Sequence, residues 1–181
     1  MEIIADNEEI RKLSQNNNFE KIKVCLNGIY SSGKTTFLKR ITSQNNFNIF
    51  KESIKIYRPA NIIAYFSIFI KYKGKSFHLD FLDYSRQERY LSLRNFFLKD
   101  SHAILNFYDP FNKDSFKYIK KSYQSLKNKI MNFFIYILIK NKCDLNETKD
   151  KDIIISDKEV LEFVDENNLL FRNLSNLWFM N

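Results

Sequence analysis

The chain has 181 residues, of which 44% are hydrophobic, and its formal net charge is +8. This length suits one sizeable core and leaves little room for a second domain. Its longest apolar runs, 61–70 and 133–139, are shorter than the roughly 20 residues that a membrane-spanning helix needs. The N-terminus lacks the pattern of a secretory signal, so the sequence predicts a cytoplasmic protein. Because the lysines are spread along the chain, the charge predicts a generally basic surface and no nucleic-acid site.

Short β-rich runs alternate with longer amphipathic stretches, which predicts an α/β fold with a mostly parallel sheet. Residues 1–20 are interpreted as an extension before a domain that spans 21–181. A short helix in this extension would place Ile3, Ile10 and Leu13 on one face, and a frayed tail is the alternative. The predicted strands lie at 21–27, 61–70, 76–82, 102–108, 133–139 and 169–174. The predicted helices lie at 34–42, 89–98, 113–130 and 156–167.

Three local signals add detail to this pattern. Gly74 in KYKGKS predicts a hairpin that makes the second and third predicted strands antiparallel. Ser156 and Glu159 have the spacing of a capping box at the start of the last predicted helix. Cys25 and Cys143 lie inside segments predicted to be ordered, so two reduced thiols are expected instead of a disulfide.

The first predicted strand is followed by GIYSSGKTT, where two of the chain's three glycines occupy the glycine positions of a phosphate-binding loop. In such a loop, backbone N–H groups hold the α- and β-phosphates of a nucleotide. Lys34 would reach the β- and γ-phosphates, and the Thr35 hydroxyl would bind Mg²⁺. The alternative is a glycine turn with an incidental lysine. The predicted phosphate-binding residues are Gly28, Tyr30, Ser31, Ser32, Gly33, Lys34, Thr35 and Thr36.

A second motif, NKCD, follows the apolar strand predicted at 133–139 and contains Asn141, Lys142 and Asp144. The Asp144 carboxylate can accept two hydrogen bonds, from the N1–H and the exocyclic amine of guanine, a pair that adenine does not offer. Asn-Lys-x-Asp alone is a common polar loop. Placed after a phosphate loop and directly after an apolar strand, it predicts guanine specificity.

With these motifs the sequence resembles the Ras superfamily of small GTPases, and within it the Rab family. LDFLDYSRQERY at 79–90 is similar to the family's Asp-x-x-Gly-Gln segment, and HAILNFYDPFNKDSF at 102–116 is similar to the strand and Tyr-Asp before its third helix. The resemblance implies a P-loop small-GTPase fold, with a six-stranded, mostly parallel sheet and helices on both faces. It also implies binding of GTP and GDP with Mg²⁺, effector and exchange-factor partners, a monomer, and a role in vesicle transport at endomembranes.

The same resemblance assigns residues of the switch regions. Asp83 matches the aspartate that holds Mg²⁺ through water, and Gln87 matches the catalytic glutamine that orients the attacking water. The Mg²⁺-binding threonine of the first switch falls at Ser53 when counted from Lys34, and at Ala60 when counted from Asp83. Ser53 keeps a hydroxyl group and Ala60 does not, so Ser53 is the predicted metal ligand.

The C-terminal part of the resemblance concerns guanine and the final helix. Ser175 and Asn176 match the start of the family's Ser-Ala-Lys loop, in which a backbone N–H contacts the guanine oxygen, while Leu177 replaces the lysine. The sequence ends before the family's last helix and prenylated cysteines, so no lipid anchor is expected in this chain. An incomplete sequence is the alternative explanation.

Two departures from the family concern hydrolysis. Tyr30 stands where the family has a small residue beside the γ-phosphate, and Arg86 stands where it has a glycine whose N–H binds that phosphate. Both predict slow or impaired GTP hydrolysis, and an arginine finger at Arg86 is the less favoured alternative. Two rivals to a working GTPase stay open. One is a pseudo-GTPase that binds nucleotide as a structural ligand, and the other is a P-loop kinase, which would have no reason to carry NKCD.

Overall fold

The computed structural model describes residues 19–43, 63–84, 101–127, 135–143 and 155–174, together with the single positions 2, 3, 8, 12, 15 and 98. The strands are β1 (Glu2–Ile3), β2 (Glu20–Asn27), β3 (Ile63–Tyr72), β4 (Lys75–Tyr84), β5 (Ala103–Tyr108), β6 (Ile135–Lys140) and β7 (Leu170–Asn173). The helices are α1 (Lys34–Ser43), α2 (Lys113–Lys127) and α3 (Asp157–Glu166). Among the described residues, no helix has both the length and the apolar character of a membrane span.

The predicted α/β fold with its mostly parallel sheet is confirmed, and all six predicted strands are present with small shifts at their ends. The helix predicted at 89–98 falls outside the described residues except at Leu98. A helical position for Ile3 is wrong, because Glu2 and Ile3 form β1, which pairs antiparallel with β3. This pairing satisfies backbone groups that the edge of β3 would otherwise present to solvent.

The chain divides into two compact units, and the first contains residues 1–25 and 38–102. Its strands follow the order β1-β3-β4-β2. Strands β3 and β4 form the predicted hairpin, with Tyr72 opposite Lys75. The two turn residues, Lys73 and Gly74, have φ angles of 49° and 76°, as a type I′ turn requires. The hairpin predicted from Gly74 is therefore confirmed.

The second unit contains residues 26–37 and 103–181. It holds the end of β2 and continues in the order β5-β6-β7, with β6 parallel to both of its neighbours. Because β5, β6 and β7 pair in parallel, with α2 and α3 as the crossover helices, the carboxyl ends of these strands lie at the same edge of the sheet. The core of this unit consists of Tyr108, Phe116, Ile119, Leu138, Ile155, Val160, Phe163 and Val164.

The start of α3 differs from the predicted capping box. Ser156 occupies the N-cap position, but its hydroxyl caps no backbone N–H group of the helix. Glu159 accepts a hydrogen bond from Lys120 Nζ of α2 at 2.6 Å. A charge-assisted bond of this kind is stronger than a bond to a neutral N–H, so the carboxylate of Glu159 turns to the ammonium group.

Both cysteines are free thiols, as predicted. The Cys25 Sγ atom lies 2.7 Å from Ser101 Oγ, and both residues are buried in the first unit. Burial is the main cause that raises the pKa of the Cys25 thiol from 9.0 to about 11. Cys25 is therefore an unreactive core residue at neutral pH.

Candidate nucleotide-binding site

The loop between β2 and α1 follows a backbone path that only a glycine can take at its first position. Gly28 has a φ of 146°, and a Cβ atom there would lie 2.4 Å from the Phe107 carbonyl oxygen and 2.7 Å from Ser32 Oγ. Gly33 has a φ of 95°, and Ser31 a φ of 62°. The two glycines of the motif thus stand where the conformation requires them, and Ser31 adopts a conformation that is strained for a residue with a side chain.

Lys34 places its ammonium group against the carbonyl groups of this loop. Its Nζ atom donates hydrogen bonds to the carbonyl oxygens of Gly28 at 2.9 Å and Ile29 at 3.0 Å. The Ile29 carbonyl also accepts a hydrogen bond from the Ser32 N–H at 3.3 Å. The loop is therefore closed around a positive charge, which is the electrostatic requirement of a phosphate site.

The other predicted phosphate residues lie around the start of α1. Thr35 and Thr36 are exposed in the first turn of the helix, whose N–H groups and dipole favour anions. Ser32 is fully buried, and its hydroxyl has no hydrogen-bond partner among the described residues. Tyr30 is 84% exposed, the largest exposed fraction among the big hydrophobic residues that the structure describes. The loop thus offers backbone and hydroxyl groups, with a tyrosine side chain at its surface.

Asn141 joins the NKCD motif to the phosphate loop. Its Nδ2 atom donates a hydrogen bond to the Ser32 carbonyl oxygen at 2.8 Å, and the residue is fully buried. Its backbone N–H donates to the Tyr108 carbonyl oxygen at 3.0 Å, at the end of β5. The structure therefore brings together two motifs that lie far apart in the sequence, and both belong to the second unit.

Lys142 and the end of β7 complete the described part of this loop. Lys142 has a φ of 60°, and its Nζ atom lies 2.7 Å from Asp109 Oδ2. The Leu174 N–H donates to the Lys140 carbonyl oxygen at 2.7 Å, and the Cys143 N–H donates to the Leu174 carbonyl oxygen at 3.4 Å. The residue that precedes Ser175 is thus hydrogen-bonded to the loop that contains Lys142.

The predicted Mg²⁺ residues outside the phosphate loop are Asp83 and Ser53. Asp83 lies near the end of β4 in the first unit and is 8% exposed. A carboxylate oxygen such as that of Asp83 is a ligand that fits Mg²⁺. The described ranges contain no group of three or more His, Cys, Asp or Glu residues that could hold a metal ion alone. Five predicted residues lie outside the described ranges, namely Ser53, Gln87, Asp144, Ser175 and Asn176.

Comparison with known proteins identifies the family to which this sequence belongs. The family model described as the Ras family matches residues 23–179. The chain belongs to the Ras family. It is similar to the GTP-binding protein YPT1 of Saccharomyces cerevisiae, with 28% identity over 155 residues that cover 86% of this chain and 70% of that protein.

Two Ras-related proteins of Dictyostelium discoideum are similar to the chain as well. RabZ is 26% identical over 164 residues, which cover 87% of this chain and 67% of RabZ. Rab-21 is 31% identical over 130 residues, which cover 72% of this chain and 58% of Rab-21. The Rab resemblance seen in the motifs is therefore confirmed by relatives that carry the Rab name.

In this Ras-family chain, sequence reasoning missed Asp109 as a residue of the site. Asp109 follows β5 directly, at the edge where the carboxyl ends of parallel strands meet, and its carboxylate holds Lys142. An acidic residue in that position is the signal that would have identified it, because ligand sites of α/β sheets lie at this edge. Ser32 was predicted for its place in the phosphate loop, and its role as acceptor for Asn141 appears only in the structure.

Proposed function

We propose that this Ras-family chain is a Rab-like nucleotide switch that binds GTP and GDP with Mg²⁺. The observation that carries the proposal is the buried hydrogen bond from Asn141 Nδ2 to the Ser32 carbonyl oxygen, at 2.8 Å. The base and the phosphates of a nucleotide are separated by a ribose, so a site for both must hold two loops at a fixed distance. This hydrogen bond does so between the predicted base loop and the predicted phosphate loop.

In the proposed site, the backbone of residues 28–36 binds the phosphates and Lys34 balances their charge. Asn141, Lys142 and Asp144 bind guanine, and the backbone of Ser175 and Asn176 contacts the guanine oxygen. By the family resemblance, Thr35, Asp83 and Ser53 are the proposed Mg²⁺ ligands, and Mg²⁺ would neutralise the charge of the phosphates. Gln87 orients the water that attacks the γ-phosphate.

Slow hydrolysis is part of the proposal. The exposed side chain of Tyr30 begins within the phosphate loop, where the family has a small residue, and its ring restricts the space for the attacking water. Arg86 replaces the glycine whose N–H would bind the γ-phosphate. The setting implied by the Rab resemblance is vesicle transport, with effector and exchange-factor proteins as partners and peripheral association with endomembranes.

Single-turnover hydrolysis of GTP tests the switch. Purified protein is loaded with radiolabelled GTP, hydrolysis is started with Mg²⁺, and phosphate release is followed over hours. The proposal expects slow, complete conversion that is lost in Gln87→Ala. Failure of the wild-type chain to load GTP would contradict the site itself.

A pseudo-GTPase is the second candidate, and the conformation of the phosphate loop favours it. Ser31 has a φ of 62° where a glycine would adopt this conformation without strain, and the neighbouring Tyr30 adds a bulky ring. A loop of this kind suits a nucleotide that stays bound as a structural ligand. Tight loading of GTP with no phosphate release, in wild type and Gln87→Ala alike, would support this candidate over the switch.

A further inference from the structure

We infer that Asp109 is a positioning residue for the guanine nucleotide, acting through the ammonium group of Lys142. The inference rests on the proposed function, because it assigns a role within the same site. Asp109 does not belong to either of the two motifs that predict this site. Its role follows from the ion pair and from the hydrogen bonds that fix the Asp109 carboxylate.

The ion pair between Asp109 and Lys142 is short and shielded from solvent. Lys142 Nζ lies 2.7 Å from Asp109 Oδ2, and the side chains are 26% and 13% exposed respectively. Pairs at exposed surfaces lose most of their strength to solvent, whereas a short charge-assisted hydrogen bond with partly buried partners keeps more of it. This pair is therefore suited to fix the position of the lysine side chain.

The Asp109 carboxylate is itself held in place by its surroundings. Its Oδ1 atom accepts a hydrogen bond from the Phe111 N–H at 3.0 Å, which leaves Oδ2 directed to Lys142. The Asp109 N–H donates to Ser115 Oγ at 2.9 Å, and that hydroxyl lies 2.9 Å from the Asp109 carbonyl oxygen. The end of β5 and the first turn of α2 thus fix the acceptor before any nucleotide binds.

Lys142 needs such a partner because ordering its backbone and the flexible stem of its side chain both cost free energy. Its φ of 60° is a conformation that residues with a Cβ atom rarely adopt. Its stem is flexible, so a nucleotide that binds to a free lysine must also order that side chain. The pair with Asp109 orders the lysine side chain in advance and keeps the backbone at Lys142 in one conformation.

Dissociation of fluorescent GDP in the presence of Mg²⁺ tests this role. Asp109→Asn keeps the Oδ1 acceptor for the Phe111 N–H and removes only the charge that faces Lys142. We expect dissociation about tenfold faster than in wild type, since hydrogen bonds to charged groups are among the strong ones. Glu159→Gln is the matched control, because it likewise removes only a charge, from the pair that Glu159 of α3 forms with Lys120 of α2 at 2.6 Å, and it should leave the dissociation rate unchanged.

A double-mutant cycle separates action through Lys142 from a general structural effect. In a Lys142→Ala background, Asp109→Asn should have no further effect on GDP dissociation. Asp109→Glu, which keeps the charge, should dissociate GDP at a rate closer to wild type than Asp109→Asn does. Thermal unfolding of the nucleotide-free variants provides a second readout that does not depend on bound GDP.

Three results would overturn the inference. Asp109→Asn could release GDP at the wild-type rate, or accelerate release equally with and without Lys142, or lower only the melting temperature. The last result would mark Asp109 as a residue of the fold alone. A wild-type chain that binds no guanine nucleotide would overturn the proposed function and the inference together, so the two failures can be told apart.

Discussion

Tyr30 carries an aromatic ring in the phosphate loop and is 84% exposed, and we expect this side chain, together with Arg86, to slow GTP hydrolysis. Tyr30→Ala should raise the single-turnover rate of GTP hydrolysis about tenfold, which corresponds to about 1.4 kcal/mol of barrier. The reason is that the smaller side chain frees space for the attacking water. Tyr72→Ala removes another exposed tyrosine, in β3, and should leave the rate unchanged. An unchanged rate in Tyr30→Ala would show that Tyr30 does not limit hydrolysis.

Cys25 connects the burial of one residue to the dependence of stability on pH. Its pKa in the folded chain is about 11, above the unfolded value of 9.0, mainly because burial disfavours the thiolate. The stabilisation is therefore complete below pH 9 and is lost as the pH rises toward 11, by up to about 1.4 kcal/mol for each pH unit.

Urea denaturation at pH 8, 9 and 10 measures this loss. In wild type, the free energy of unfolding should fall between pH 9 and 10, whereas the fall should be smaller in Cys25→Ala, which lacks the thiol. The comparison uses the slope with pH, since the substitution itself lowers stability at every pH. Equal slopes in the two proteins would contradict the role of Cys25.

At the scale of elements, the end of α3 is defined by an asparagine in a left-handed conformation. Asn168 has a φ of 55°, and its N–H donates to the Asp165 carbonyl oxygen at 3.3 Å. The Leu169 N–H donates to the Val164 carbonyl oxygen at 3.0 Å. These two bonds form the pattern that commonly ends helices at a glycine, with asparagine as the next most suitable residue.

Asn168→Ala should therefore lower the free energy of unfolding by about 1 kcal/mol, because alanine pays a larger cost for a positive φ. Asn168→Gly should be at least as stable as wild type. Chemical denaturation with urea measures both variants, and Glu166→Ala in the exposed last turn of α3 is the control, with an expected change within about 0.5 kcal/mol. An alanine variant as stable as the glycine variant would contradict this account of the helix end.

The helices and strands also show which features of the fold can be predicted from the sequence and which cannot. The buried strands were predicted correctly because apolar runs such as 133–139 have few other uses in a chain of this length. Strand β1 was missed because two residues carry no periodic pattern, and only the open edge of β3 makes Glu2 and Ile3 a strand. The capping box failed because Lys120, distant in sequence, competes for Glu159.

In the candidate site, too, the residues of the motifs were predicted, and a residue whose role depends on a distant contact was missed. Gly28, Lys34 and Asn141 were predicted from motifs, because each motif demands particular residue types at fixed spacing. Asp109 was missed because its role depends on a contact with Lys142, 33 residues away in the chain. A pair of that kind has no signature in the residues that surround either partner.

At the scale of the whole molecule, the N-terminal residues are expected to contribute to stability. Glu2 and Ile3 pair with Lys71 and Ile70 of β3, so deletion of residues 1–15 removes backbone hydrogen bonds at the edge of the sheet. Each of these hydrogen bonds contributes about 1 kcal/mol to stability, so the melting temperature should fall by about 2–8 °C, as measured by differential scanning calorimetry. Lys12→Ala removes only the exposed ion pair with Glu8 and should not change it. An unchanged melting temperature after the deletion would falsify this expectation.

The central claim concerns the whole chain as a guanine-nucleotide protein, and competition binding tests it most directly. Purified protein is titrated with fluorescent GDP in Mg²⁺, and the bound probe is displaced with unlabelled GDP, GTP or ADP. The account predicts that GDP and GTP displace the probe and that ADP does not, because a carboxylate at Asp144 can accept two hydrogen bonds that guanine offers and adenine does not. Equal displacement by ADP, or no binding of the probe, would contradict it.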